Sequence, residues 1–429
     1  MIQQIVEPEI KGKTPPGWDA SGGQSHRAES ALGKHARPEI ELLLCCSRTS
    51  IEPAIAQRIK IILQEEIDWE YLLETASKHG VKPLLYQSLS QVGKEAIPPG
   101  IMNQLRQDFR TNALRNLNRT KELLKILDLF AIHQIPVFTF KGPAIASLAY
   151  GELSLRQFSD IDILVRERDI LRARDLFLSQ GDEMKIELIE LTKEQKEIFI
   201  RSPQIHEFVR ECAYPFIRKQ SQVTVELHWQ MMPKYFSFPI DSEELWERLI
   251  KVPILSTNIL TPSPEDSLLL LCGHGIQECW DKLNRVCDIA ELIRRHPNLD
   301  WDSIMAEANR LGCQRILFLG LFLAKELLDA IVPDFVWEKI EADPVVKELG
   351  VQAYDGFFPN GNISNQSFPT TRLHLKARER FIDKVRYFLG VMITPTTSDW
   401  LVLPLATYPS FLYYLLRLIR LVGEYLRGK

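Results

Sequence analysis

No stretch of this chain is both long and apolar enough to cross a bilayer. The longest uncharged run near the C-terminus, Trp400 to Leu416, has 17 residues and is interrupted by Pro404 and Pro409, where a spanning helix needs roughly 20. Positive charge is not in excess either. The formal net charge of −4 gives no overall attraction to nucleic acid or anionic lipid, so any phosphate-binding patch has to be local. Cysteine is scarce and odd in number: Cys45, Cys46, Cys212, Cys272, Cys279, Cys287 and Cys313 lack the spacing of a disulfide framework and point to reduced thiols in a cytoplasmic protein. The first residues carry Glu7 and Glu9 and no apolar h-region, so no secretory leader is read there. A G-x-x-x-x-G-K-[ST] loop and a nucleophile elbow are also absent, which removes the P-loop and serine-hydrolase readings.

What is present is ordinary soluble composition, 45% hydrophobic and 25% charged over 429 residues, enough for two or three domains. Residues 1–36 are rich in Gly, Ser and Pro and read as a disordered tail. Residues 37–126 read as helical. In "IDWEYLLETASKHG", Asp68 is placed to cap a helix, Trp69, Leu72, Leu73 and Ala76 share one face, and Gly80 stands where a helix stops. The same grammar returns in "LDWDSIMAEANRLG", with Asp300 and Gly312 at its ends. The likeness is either a duplicated helical unit or two well-capped amphipathic helices, and the second reading is preferred because capping and propensity alone can produce it. Between residues 127 and 255 the period changes: 135–140, 161–165 and 223–229 read as strands, with helices over "GPAIASLAYG" and "ERDILRARDLFLSQG". Residues 256–400 read as helical again. Residues 401–429 form an amphipathic tail bearing Arg417, Arg420, Arg427 and Lys429, read as packing on its own domain or a partner in preference to lying on a membrane surface. The fold class is α+β, a small mixed-sheet core flanked by N- and C-terminal helical segments.

The chemistry gathers in "RQFSDIDILVRERD". Asp160 and Asp162 are two apart on a strand, so their side chains share a face while Ile161 and Ile163 turn to the core. Two such carboxylates repel unless a cation lies between them or one takes up a proton, and hard oxygen donors suit Mg²⁺. A D-x-D alone is short, and taken by itself a solvated strand end fits it better. Two other stretches favour the metal. "VTVELHW" places Glu226 on a second strand, on one face with Thr224 and His228. "FTFKGPAIASLAYG" ends a strand at Lys141–Gly142 and opens a helix, a turn that offers backbone N–H groups and a point charge to phosphate. Arg156 and Ser159 stand within reach of phosphate oxygens or serve an ordinary surface role.

In this order, K-G, then Y, then R, then D-x-D-h-L-V, then E-L-H-W, the chain resembles a group of bacterial nucleotidyltransferase family proteins. That group lies within the superfamily that includes DNA polymerase beta. The flanking "HGIQECWDKLNRVCDIAELI" and the two capped helices resemble the same group, which extends the likeness from about residue 40 onward. The resemblance implies metal ligation by Asp160, Asp162 and Glu226, with Lys141 and Gly142 in the nucleotide-binding turn. It also draws attention to His274, Arg285 and Asp288, which either line the site or pack helices; His228 either supports the metal acids or makes a structural hydrogen bond. The turn departs from the superfamily's usual glycine-serine, and 18 residues separate Gly142 from Asp160, longer than common. A zinc site from Cys272, His274, Cys279 and Cys287 is set aside, because the spacing is wrong and the sequence there is helical.

The expected function is Mg²⁺- or Mn²⁺-dependent transfer of a nucleoside monophosphate from an NTP, read as ATP, to an acceptor. That acceptor is expected to be a small molecule or protein in preference to a polynucleotide. The alternatives are a non-catalytic nucleotide-binding or scaffold protein that keeps the fold, and a toxin-like enzyme that modifies protein or tRNA.

Overall fold

A computed structural model describes residues 37–185, 212–236, 242–359, 370–396 and 411–426, with isolated positions between them. The expected disordered tail, residues 1–36, lies outside the described residues, as do 401–410 and 427–429.

Five helices come first: α1 (Pro38–Cys46), α2 (Pro53–Ile62), α3 (Trp69–Lys78), α4 (Lys82–Gln91) and the long α5 (Pro99–Ile132). Their ends follow the local grammar. The Asp68 carboxylate accepts from the Tyr71 N–H at 3.0 Å, and Gly80 takes φ +69° just past α3. Downstream, Asp300 repeats the cap with Ser303 at 3.0 Å, and Gly312 closes that helix at φ +67°.

A five-stranded mixed sheet follows, in the order β1-β2-β5-β4-β3. The strands are β1 (Val137–Thr139), β2 (Asp160–Val165), β3 (Glu183–Met184), β4 (Ala213–Ile217) and β5 (Thr224–His228). β2 and β5 are parallel neighbours and the other pairings are antiparallel. Two short helices lie within this stretch, α6 (Gly142–Ile145) and α7 (Ile170–Ser179). Strands β1, β2 and β5 are legible in the alternation of the sequence. β3 has two residues and β4 carries Pro215, so neither shows a period. A separate hairpin, β6 (Ile250–Ile254) and β7 (Thr257–Thr261), turns through Leu255 at φ +51°. It has no glycine to announce it.

The strand alternation sorts the sheet's two faces. Ile161, Ile163, Val165, Val225, Leu227 and Trp229 pack against Leu123, Ile126 and Phe130 of α5 and Phe177 of α7. The opposite face joins Leu164 to Phe138, Phe140, Met231 and Leu270, and Asp160, Asp162, Glu226 and His228 open onto that side.

The C-terminal helices begin with α8 (Ser242–Glu247), α9 (Pro264–Gln277), α10 (Leu283–Arg295), α11 (Trp301–Leu311) and α12 (Gln314–Leu328). α9 starts as its sequence predicts, with the Ser263 hydroxyl accepting from the Asp266 N–H at 3.1 Å. The segments 37–126 and 256–400 read separately along the chain, yet one apolar cluster runs through both, from Ile40 to Tyr387. Arg48 pairs with Asp329 at 3.0 Å across this junction. His79 joins it from both ring nitrogens: Nδ1 accepts from the Leu283 N–H at 3.2 Å, and Nε2 lies 3.1 Å from the Phe357 carbonyl.

The last described helix, Phe411–Leu426, seats Tyr413 in the sheet core. Arg420 turns inward to Asp399 at 2.7 Å, while Leu415, Ile419 and Val422 face outward. No helix among the described residues is long and apolar enough to cross a membrane. All seven cysteines are free thiols.

Candidate active site

Two neighbouring parallel strands bring the acids together. The β2–β5 register sets Asp160 opposite Thr224, Asp162 opposite Glu226 and Leu164 opposite His228. His228 bridges the central pair, its Nε2 lying 3.3 Å from Asp162 Oδ1 and 3.2 Å from Glu226 Oε2. From the end of β1, Lys141 Nζ reaches to 3.4 Å from the same Asp162 oxygen. The Thr139 hydroxyl donates to the Asp162 carbonyl at 2.7 Å and ties β1 to β2 just behind the carboxylate. The Asp162 side chain is only 3% exposed and that of Glu226 35%. The site is therefore closed at its floor and open on the Glu226 side.

The turn that delivers Lys141 depends on its glycine. Gly142 sits at φ +47°, and a Cβ there would approach the Asp160 carbonyl oxygen to 3.3 Å and the Phe158 ring to 3.7 Å. A π-turn over Ala146–Tyr150 follows α6 and carries Tyr150 to Asp288, where its hydroxyl donates at 2.8 Å.

Burial raises both aspartates, and their neighbours then drive them apart. Burial, then the like charges of Asp162 and Glu226, push the Asp160 carboxyl up to about 6, against Lys141 and Arg156. Burial also raises Asp162, but Lys141 and the hydrogen bond from His228 outweigh it and hold that carboxyl well below the ordinary range. Burial lowers His228, and its hydrogen bonds to Asp162 and Glu226 more than reverse this, so its pKa is raised. Burial and Lys141 keep His274 far below an ordinary histidine. Its ring stacks on Phe140 at 6.0 Å, and its Nε2 is buried without a hydrogen-bond partner among the described residues.

The residues singled out in the sequence fall into four places. Asp162, Glu226 and His228 each offer a ligand atom within 4.8 Å of the others, a group that could hold a metal ion. His228 is thus between the acids, level with them. Asp160 lies outside that group but on the same face, and Lys141 and Gly142 adjoin it. Arg156 and Asp288 meet one another, bonded twice at 2.7 Å, and so brace the segment before β2 against α10. Arg285 pairs with Asp281 at 2.7 Å and Glu278 at 3.6 Å. Ser159 is exposed, and its carbonyl accepts from Arg119 Nε at 2.9 Å. Arg119, forty residues upstream on α5, has no signature in the sequence. Tyr150 does appear in the ordered pattern, but its bond to Asp288 is a tertiary fact.

The donor set fits a divalent cation. Two carboxylate oxygens suit Mg²⁺ or Mn²⁺, and an imidazole beside them is compatible with Mn²⁺. Burial, and then the like charges of Asp162 and Glu226, raise Asp160, and an ion held between the carboxylates would offset the repulsive part. Two of the thiols considered for zinc have other neighbours: Cys279 Sγ lies 3.8 Å from His374, and Cys272 packs toward the Leu317 carbonyl.

The family model described as "Uncharacterised nucleotidyltransferase" matches residues 65–329, well over half the chain. The match runs from just before α3 to the end of α12 and contains the whole sheet. No curated protein and no solved structure matches the chain.

Proposed function

The chain belongs to this nucleotidyltransferase family, and from that premise we propose that it moves a nucleoside monophosphate from ATP to an acceptor hydroxyl. The acceptor oxygen bonds to the α-phosphorus. The bond from that phosphorus to the oxygen bridging to the β-phosphate breaks, and its electron pair leaves on pyrophosphate. The observation that carries this reading is the register that sets Asp162 directly against Glu226, with His228 Nε2 within 3.3 Å of both.

Asp162, Glu226 and Asp160 would hold Mg²⁺ or Mn²⁺, which neutralises charge on the phosphates when bound. Glu226, at the open side of the site, takes the proton of the acceptor hydroxyl. Lys141 and the Gly142 backbone meet the triphosphate, the lysine as a point charge and the glycine by allowing close approach. Arg156, fixed by Asp288, positions the segment leading to Asp160 and keeps a positive field on that carboxyl. Ser159 stands at the rim, beside Asp160.

Incubating cell extract with the protein, labelled ATP and Mg²⁺, followed by mass spectrometry, tests this. Wild type yields a nucleotidylated product. Asp162→Asn lowers the rate at least about a hundredfold, the scale on which a preorganised charge contributes. Near-normal turnover by that variant would overturn the reading.

A further inference from the structure

Beside the acids lies a second polar feature that the transfer step does not use. A groove of about 430 Å³ is lined by Lys78, Lys82, Arg115, Arg119 and Lys282, together with Phe158 and Ser159. Phe158 is also the ring that packs 3.7 Å from the Cβ position at Gly142, so the groove adjoins the phosphate turn. Ser159, at its edge, immediately precedes Asp160.

The charge in this groove is one-sided. Its single lining acid, Asp108, is taken by Lys82 at 2.9 Å. Lys78, Arg115, Arg119 and Lys282 make no ion pair among the described residues. They come from α3, α5 and the segment before α10, elements far apart in the chain. Arg115 and Arg119 stand four apart on one helix, a like-charge spacing that costs stability unless an anion lies nearby. Arg119 uses Nε on the Ser159 carbonyl, which leaves its other guanidinium nitrogens for a ligand. Asn112, Gln157 and Asn284 add uncharged polar groups to the lining. Clustered Arg and Lys around a polar cavity match phosphate chemistry, and the volume is that of a small-molecule site.

We infer that this groove binds the phosphate of a small phosphorylated acceptor and so presents the acceptor's hydroxyl at the Asp160 end. The inference rests on the nucleotidyl-transfer reading for the acceptor role; the anion site itself does not. The triphosphate already has Lys141 and Gly142, and the groove's cations are surplus to it.

Titrating the full chain with inorganic phosphate, alone and then saturated with Mg²⁺ and a non-hydrolysable ATP analogue, tests the site. Phosphate is expected to bind in both conditions. The double variant Arg115→Gln/Lys282→Gln should lose at least about tenfold in phosphate affinity, the lower bound for one charged hydrogen bond. Its analogue affinity should stay within about twofold, and its thermal midpoint, at exposed positions, should hold. The single variant Lys78→Gln should weaken phosphate in the same direction and provides the reading if the double variant does not fold. Displacement of phosphate by the analogue, or loss of analogue affinity in the double variant, would assign the groove to the nucleotide and overturn the proposal. Unchanged phosphate affinity in the variants would do the same. Phosphate binding that needs Arg115 and Lys282, in a chain that binds no analogue, would remove nucleotidyl transfer and the acceptor role while upholding the anion site.

Discussion

Asp160 and Asp162 have the same side chain on the same face of one strand, and their neighbours drive them apart. Lys141 and His228 both address Asp162, while burial first, and then repulsion from Asp162 and Glu226, push the Asp160 carboxyl up to about 6. In metal-free protein at pH 7, Asp160→Asn should therefore leave the thermal midpoint level or raise it. Asp162→Asn should lower it, because the lysine and the histidine lose a shared anion. Scanning calorimetry in EDTA checks the order, and a reversed order would mean that the charge balance has been assigned to the wrong residue. Glu226 and Leu227 provide a second contrast, since they point to opposite faces of β5. Glu226→Gln should weaken Mn²⁺ binding and turnover with little change in stability. Leu227 is fully buried, so Leu227→Ala should cost about 2–5 kcal/mol in denaturant unfolding. Loss of activity without loss of stability in Leu227→Ala would show that the strand faces are exchanged.

Among the elements, the turn between β1 and α6 leaves little room for a side chain. A side chain at Gly142 is opposed by the left-handed backbone, φ +47°, and by the Asp160 carbonyl 3.3 Å from the Cβ position. Gly142→Ala should cost about 1–2 kcal/mol from backbone strain alone. It should also reduce turnover, because the carbonyl that must yield belongs to Asp160. Gly100, at the start of α5, has nothing within 4 Å of its Cβ position and supplies the control. Gly100→Ala should leave activity unchanged and stability level or higher. Equal effects at the two glycines, measured by thermal midpoint and rate, would separate the turn from the site.

Across the whole molecule, pH should act through the junction of the N- and C-terminal helices. His79 accepts at Nδ1 from the Leu283 N–H, which requires a neutral ring. Burial, opposed by the Phe357 carbonyl, lowers its pKa from 6.5 to about 4. His374 shifts the same way, to about 4, through burial and then Arg378. For a depressed histidine the unfolded chain takes the proton first. The stability it contributes is complete above pH 6.5 and shrinks as pH falls toward 4, by up to about 3 kcal/mol per ring. Asp160, raised to about 6, acts in the opposite sense over the same range, so the test is a comparison between chains: His79→Gln should remove the fall in denaturant midpoint between pH 7 and pH 4 that this ring supplies. A slope unchanged in the variant would exclude His79 as its source.

The sequence by itself determined whatever depends on near neighbours. Period two in "DIDILV" and "VTVELHW" put the carboxylates on one face and the isoleucines, valines and leucines on the other. Asp68, Ser263 and Asp300 specified helix starts, because a cap bonds three residues ahead. The ordered motif identified the family. The tertiary structure alone decided which distant residues meet. The register that sets Asp162 against Glu226 comes from packing β2 and β5 on a shared core, and a slip of one residue would turn one strand's acids away. The Arg156–Asp288 pair, the joining of the two helical segments in one core and the cationic groove beside Ser159 arise in the same way. Their partners lie tens to hundreds of residues apart, and no local periodicity encodes a contact that only the folded chain brings into reach.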